Sequence, residues 1–157
     1  MKKRNSKHVV IKNKVLQTLS KKINEGGVTY NPFSNKDYSG TRNIAISPFP
    51  ERSQVFKGKA TGKRIANYCN KNNDLLQNNF ALGGWFDENS ENTYLDITAP
   101  IPLEKESEAI NLGRNANQIA GFNLFEFSEI QIGGTGEFNS IVSPFQERLN
   151  QALNLIN

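Results

Sequence analysis

A single histidine, His8, and a single cysteine, Cys69, limit the nucleophile and base chemistry open to this chain. General-base catalysis by imidazole, a Ser-His pair or an imidazole metal ligand would each fall to His8. Residues 1–8 hold lysines, Asn5 and Ser6 without an apolar period, and read as a disordered arm rather than a site. Cys69 falls on the apolar stripe of an expected helix. A reactive thiolate needs an exposed, electropositive setting with a base beside it, so a core cysteine is the expectation. Structural zinc needs several Cys or His ligands, more than this composition holds. No metal, no cofactor and no catalytic residue is assigned, and the chain is not expected to be an enzyme.

Carboxylates are the remaining source of chemistry. Asp87, Glu88, Glu91 and Asp96 lie on or near one expected hairpin, and Glu104, Glu106 and Glu108 follow. Paired acids bind hard cations through oxygen or run hydrolysis. Asp87, Glu88 and Glu91 sit in the turn, where acids are ordinarily solvated. Asp96 is mid-strand, two residues from Tyr94. Its ordinary reading is an exposed strand face or a hydrogen bond to a neighbouring turn; a functional carboxylate is the alternative. Gly133-Gly134-Thr135-Gly136 lacks the lysine and the immediate helix of a phosphate loop, and reads as a flexible exit from the domain. Trp85, beside Gly83 and Gly84, is expected in the core.

Charge is distributed unevenly. Lys2, Lys3, Arg4, Lys7, Lys12, Lys14, Lys21 and Lys22 give the first 24 residues eight cations and no acid. The rest holds eleven cations against fifteen acids, so a basic arm precedes a mildly acidic body. A second basic cluster, Lys57, Lys59, Lys63 and Arg64, with Lys71 further on, stands at the start of an expected helix. Such lysines neutralise phosphates and give salt-sensitive, sequence-blind binding to nucleic acid. Phe49 and Phe56 are candidate stacking aromatics beside them. A solvated surface is the competing reading for both clusters.

The elements that would position these residues follow from periodicity. Ile11, Val15, Leu19 and Ile23 recur every four residues, which predicts an amphipathic helix over 9–24 with a basic face, ended by Gly26-Gly27. Residues 28–43 read as an irregular connector. Ile44-Ala45-Ile46 is a short strand stopped by Pro48 and Pro50. Thr61 is a helix cap, with Ile65, Tyr68, Cys69, Asn72 and Leu76 on one face. Strands at 80–86 and 93–98 form a hairpin closed by Pro100 and Pro102. A helix from about 103 to 118 follows, then strands at 119–125 and 129–132. Ser143-Pro144 starts a last helix, with Phe145, Leu149, Leu153 and Ile156 along one stripe. The order strand, helix, strand, strand, helix, strand predicts an α+β fold: an antiparallel sheet with two helices on one face, in the split βαβ order of a ferredoxin-like sandwich. Amphipathic helices lie at both ends. The expected division is 1–42 (arm and connector), 43–136 (α+β domain) and 137–157 (terminal helix).

Several pieces of the middle are similar to a family of small, uncharacterised proteins from bacteriophage and prophage genomes. They are Ile44 to Arg52, Thr61 through Ile65 and Tyr68 to Asn72-Asn73-Asp74-Leu75-Leu76, Leu82-Gly83-Gly84-Trp85-Phe86-Asp87 and Tyr94-Leu95-Asp96-Ile97. Glu108-Ala109, Asn117-Gln118-Ile119-Ala120 and Glu129-Ile130 with Gly133 to Gly136 complete the set. The resemblance covers residues 44–136. It implies a phage origin and no particular reaction. Where relatives show an acid in the strand after the second helix this chain has Asn123, which is given no chemical role.

No run reaches the roughly 18 apolar residues of a membrane span, so no membrane partner is expected. No apolar stretch of 7–15 residues follows the basic start, so no secretory signal is expected either. One cysteine suits a reducing compartment. The leading expectation is a non-enzymatic phage protein of the virion or host cytoplasm. It would dock on phage structural proteins, or on itself, through Ile11, Val15, Leu19 and Ile23 and through Phe145, Leu149, Leu153 and Ile156. The alternatives are non-specific nucleic-acid binding by the two basic clusters, and a small enzyme or counter-defence factor using Asp96.

Overall fold

The computed structural model describes residues 10–156; Lys2, Lys3, Arg4, Lys7 and His8 lie outside the described residues. The chain is α+β, with an antiparallel sheet of eight strands among the described residues. α1 (Asn13–Glu25) leads into β1 (Val28–Asn31) and β2 (Lys36–Asp37). β3 (Asn43–Ile46) and β4 (Gln54–Lys57) flank a 3-10 turn at Pro50–Arg52. α2 (Gly62–Lys71) and α3 (Asn73–Leu76) precede the hairpin of β5 (Ala81–Asp87) and β6 (Asn92–Pro102). α4 (Glu106–Asn115), β7 (Ala120–Asn123), β8 (Ser128–Gln131) and α5 (Phe145–Ile156) complete the order. The sheet runs β2-β1-β5-β6-β3-β7-β8, and β4 also pairs with β6. The strands expected in split βαβ order are β3, β5, β6 and β7. They stand side by side as β5-β6-β3-β7 in the middle of this larger sheet.

Two local readings change. The connector contains β1, which pairs with β5 at Thr29↔Gly83. Its three β-formers, Val28-Thr29-Tyr30, are hemmed by Gly26-Gly27 and Pro32, too short a run to show a period. β6 runs through Pro100 and Pro102 instead of stopping before them. β5 has ended by then, its last pair being Ala81↔Thr98, so the ladder at the two prolines is to β3 alone. A strand with one neighbour tolerates proline at alternate positions, where every other N–H points away from the ladder.

Alternation along β6 sorts the two faces. Leu95, Ile97, Ala99 and Ile101 are buried against the helices. Tyr94, Asp96 and Thr98 point to the other face, which carries no helix. Both terminal helices join the same core as the middle of the chain: Leu19 and Ile23 are fully buried, and Ile11 is buried beside them. Val15, Phe145, Leu149, Leu153 and Ile156 pack against that core. The eight residues expected to dock on a partner thus lie in or against the chain's own core, three of them buried and five partly buried. An amphipathic stripe buries itself on the nearest apolar surface, and here that surface is the sheet of its own chain.

α5 is fixed by an unusual contact. Arg148 is 1% exposed and its guanidinium reaches Glu51, at 2.8 Å from Nη1 to Oε1 and again through Nη2 to Oε2. Nη1 also donates to the Pro48 carbonyl and Nε to that of Ser143. Phe145 packs at 4.9 Å on Phe49, which meets Phe80 edge-on at 5.2 Å. The Ser143 hydroxyl does not cap α5 as expected; it is buried without a partner. The guanidinium holds the Glu51 carboxyl below the usual carboxylate range. That stabilisation is present above the ordinary pKa and is lost as the pH falls through the lowered one. Glu51→Gln leaves a buried cation with a neutral partner and is expected to cost about 3–5 kcal/mol in urea unfolding at pH 7. The double variant Glu51→Met/Arg148→Met costs less than that single change; a larger loss in the double variant contradicts this reading of the pair.

Candidate functional site

Asn24, near the end of α1, bonds both polar groups of Ala60: Nδ2 to the carbonyl at 3.2 Å and Oδ1 from the N–H at 2.8 Å. Leu16 lies against Gly62, where an added Cβ would stand 3.3 Å from its Cβ. These contacts clip α1 to the start of α2. They bring the helix bearing Lys12, Lys14, Lys21 and Lys22 beside the segment bearing the 57–71 cluster, far apart in sequence. Residues 10–27 and 57–72 hold nine cations and one acid, Glu25. All nine cations are exposed. Three have partners: Lys22 reaches Asp37 at 2.7 Å, Lys57 reaches Glu91 at 3.6 Å, and Arg64 lies 4.3 Å over the Phe56 ring. Among the described residues Lys12, Lys14, Lys21, Lys59, Lys63 and Lys71 have no carboxylate within ion-pair reach. Thr61 caps α2 as expected, its hydroxyl accepting from the Arg64 N–H at 3.3 Å.

The aromatic expectations reverse. Phe49 and Phe56 are buried, and Phe56 lies under Arg64. Trp85, expected in the core, is 46% exposed. It shares the parity of Gly83 and Asp87, which face away from the helices. Its ring stacks on Tyr94 across the hairpin, with centroids 4.6 Å apart and planes 10° from parallel. Val55, opposite Tyr94 on β4, is exposed beside them, and Lys57 takes the next position on the same face. Tyr38 covers the far end of this face by packing on Ala81, Leu124 and Ala45, so the Trp85 end stays open.

Asp96 lies between the covered and open ends. Its Oδ2 accepts from the Ser47 hydroxyl at 2.8 Å and its Oδ1 from the Thr98 hydroxyl at 3.0 Å. The carboxylate lies over Gly83, where a Cβ would stand 2.2 Å from Oδ1. Burial raises the pKa of this carboxyl, and the two hydroxyl bonds oppose that only in part. The hydroxyls, the glycine and the strand hold it in a closed polar contact. Among the described residues no group of three metal-ligating side chains occurs, at Asp96 or elsewhere.

The other singled-out residues have structural roles. Cys69 is buried and burial pushes its thiol up to about 12. Asp87 holds its own turn, accepting from the Asn89 N–H and the Ser90 hydroxyl. The glycine loop at 133–136 is pinned rather than flexible. Gly134 and Gly136 donate to the carbonyls of Gln118 and Asn117, and Asn117 bonds both the hydroxyl and the N–H of Thr135. A shallow polar groove of about 570 Å³ lies along Arg52, Tyr68, Asn72 and Asp74, but Arg52 is already held by Asp74 and Asn72. No described helix is long and apolar enough to cross a membrane. Comparison with known proteins gives no match: no family model, no curated protein and no solved structure is similar to the chain.

The sign of the Asp96 shift makes a prediction. Its folded pKa lies above the ordinary 3.8, so between the two values the folded chain binds more protons and stability falls as pH rises. Asp96→Asn removes the penalty of a buried charge. At pH 7 its urea midpoint is expected to equal or exceed that of the parent, with the difference closing as the pH approaches 3.8. A variant clearly less stable at pH 7 than the parent, by more than about 1 kcal/mol, contradicts this, because it would make the two hydroxyl bonds the larger effect.

Proposed function

We propose that this chain is a non-enzymatic nucleic-acid-binding protein of a bacteriophage, acting in the host cytoplasm or the particle, and that it grips the phosphate backbone with the face formed by α1 and α2. One observation carries the reading: the Asn24–Ala60 contact joins two basic segments that together hold nine cations and one acid, with Asp37 and Glu91 from elsewhere paired to Lys22 and Lys57. Among the described residues seven of those cations have no acidic partner, the condition under which phosphates displace counterions rather than protein carboxylates. Lys2, Lys3, Arg4 and Lys7 extend the charge in sequence. The phage setting rests on the resemblance over residues 44–136. Docking through the terminal stripes loses support, because Ile11, Leu19 and Ile23 are buried in the chain's own core and the other five residues pack against it. A catalytic role for Asp96 loses support because the carboxylate is tied to the Ser47 and Thr98 hydroxyls, and among the described residues no group of three metal-ligating side chains occurs.

Fluorescence anisotropy with labelled DNA at several salt concentrations tests the proposal. Log affinity is expected to fall linearly with log salt, whatever the DNA sequence. Lys59→Ala/Lys63→Ala should weaken binding to all sequences alike and flatten the slope by about 2. Absence of binding at 50 mM salt, or an unchanged slope in the double variant, contradicts it.

A further inference from the structure

We infer that copies of this chain associate head to tail, the Phe127 ring of one entering a small pocket between α1 and β1 of the next. The inference stands apart from the phosphate-binding reading. Phe127 ends the turn between β7 and β8 and is 63% exposed. Its φ of +55° lies in the left-handed region, where a hairpin ordinarily places Gly or Asn and where a bulky side chain is strained. The turn itself is firmly held. Asn123 Oδ1 accepts from the N–H groups of Phe125 and Glu126, both at 2.9 Å. Leu124 is buried, donates to the Asn43 carbonyl at 2.9 Å and accepts from the Gly40 N–H at 2.8 Å. Arg42 lies 5.1 Å over the neighbouring Phe125 ring. Among the described residues no cation and no second ring lies over Phe127. A rigid turn thus holds a phenylalanine toward solvent in a costly conformation, and strain of this kind collects at binding sites.

The pocket lies toward the other edge of the sheet. Val15 and Leu19 of α1 and Tyr30 of β1 form its apolar wall, and Lys14, Thr18 and Lys22 line the rest. Its volume is about 180 Å³. A cavity of roughly 150 Å³ is enough for a benzene ring. Four strand spacings of about 4.8 Å separate β1 from β7, roughly 19 Å, so the ring and the pocket of one chain do not meet. Charge matches the two ends. Residues 119–147 hold four acids, Glu126, Glu129, Glu137 and Glu147, and no cation. Glu126 and Glu129 flank the ring in sequence, are exposed, and among the described residues form no ion pair. At the pocket Lys14 likewise has no carboxylate within ion-pair reach, while Lys22 is held by Asp37. Ring and pocket are different surfaces, so the contact does not close on two copies and repeats into a ring or a filament. One side chain in one pocket is a small contact, and the association is weak.

Sedimentation velocity of the full chain at low salt, up to about 1 mM, tests this. The mass of the parent is expected to rise with concentration past that of a dimer and to fall as salt is added. Phe127→Asn removes the ring and suits the left-handed backbone, so it folds at least as well as the parent. It should weaken association about ten-fold or more. Thr18→Trp fills the pocket from an exposed position and should do the same, and Lys14→Glu, another exposed change at the pocket, should weaken association by repelling Glu126 and Glu129. An equimolar mixture of Phe127→Asn and Thr18→Trp retains one working pocket and one working ring, and should form dimers and nothing larger. A parent that stays monomeric overturns the inference. Association unchanged in Phe127→Asn, or in both Thr18→Trp and Lys14→Glu, also overturns it and places the contact on another surface. A mixture that grows as the parent does overturns it as well.

Discussion

Two adjacent glycines set how closely anything can approach the central hairpin, one for each side of the sheet. Gly84 faces the helices, and a Cβ there would stand 2.8 Å from Ile23 Cδ1, so α1 can lie directly on β5. Gly83 faces the other way and leaves room for the Asp96 carboxylate. Successive strand residues point to opposite faces, so a pair of glycines thins the sheet on both at one point. With side chains at these positions α1 would lift away, Leu19 and Ile23 would lose their place in the core, and Asp96 would lose the contact with Ser47 and Thr98.

Placing α1 on the sheet has electrostatic consequences. A helix whose buried stripe is Leu16, Leu19 and Ile23 keeps its lysines exposed; Asn24 and Leu16 join it to the start of α2, which has lysines of its own, while Lys22 pairs with Asp37 of β2. The opposite face carries no helix; it holds Tyr38 over Ala81 and Leu124 at one end, Asp96 with its two hydroxyls in the middle, and Trp85, Tyr94, Val55 and Lys57 at the other. The Arg148–Glu51 pair does a similar service for α5, tying it to the turn between β3 and β4 through charge as well as through Phe145 on Phe49. Buried ion pairs contribute little net stability but fix geometry, since few alternative packings satisfy both charges.

Much of the middle of the chain was legible in the sequence. Ile65, Tyr68, Cys69, Asn72 and Leu76 are all buried along α2 and α3, and the hairpin pairs as its alternation implied. What escaped had physical causes. β1 and β2 are too short for a period to register. β6 carries two prolines that forbid a ladder only where two neighbours are present. Trp85 misled by its size: its parity with Asp87 and with the polar positions Tyr94 and Asp96 placed it outside the core, and that parity was the better guide. The terminal stripes were recognised as apolar, but periodicity says nothing of what covers a stripe. The union of the two basic clusters rests on Asn24, whose side-chain bonds to Ala60 span 36 residues, and no local pattern announces a contact of that separation.

The central claim is that α1 and α5 belong to the core of the sheet. Native-state hydrogen exchange tests it most directly, because amides that open only with the whole molecule share one slow free energy. The amides of Leu19 and Ile23 in α1 and Ala152 and Leu155 in α5 are expected to exchange as slowly as those of Leu95 and Ile97 in β6. Exchange of either helix orders of magnitude faster than β6, at a rate set by local opening, would show that the ends are detachable arms and contradict the account.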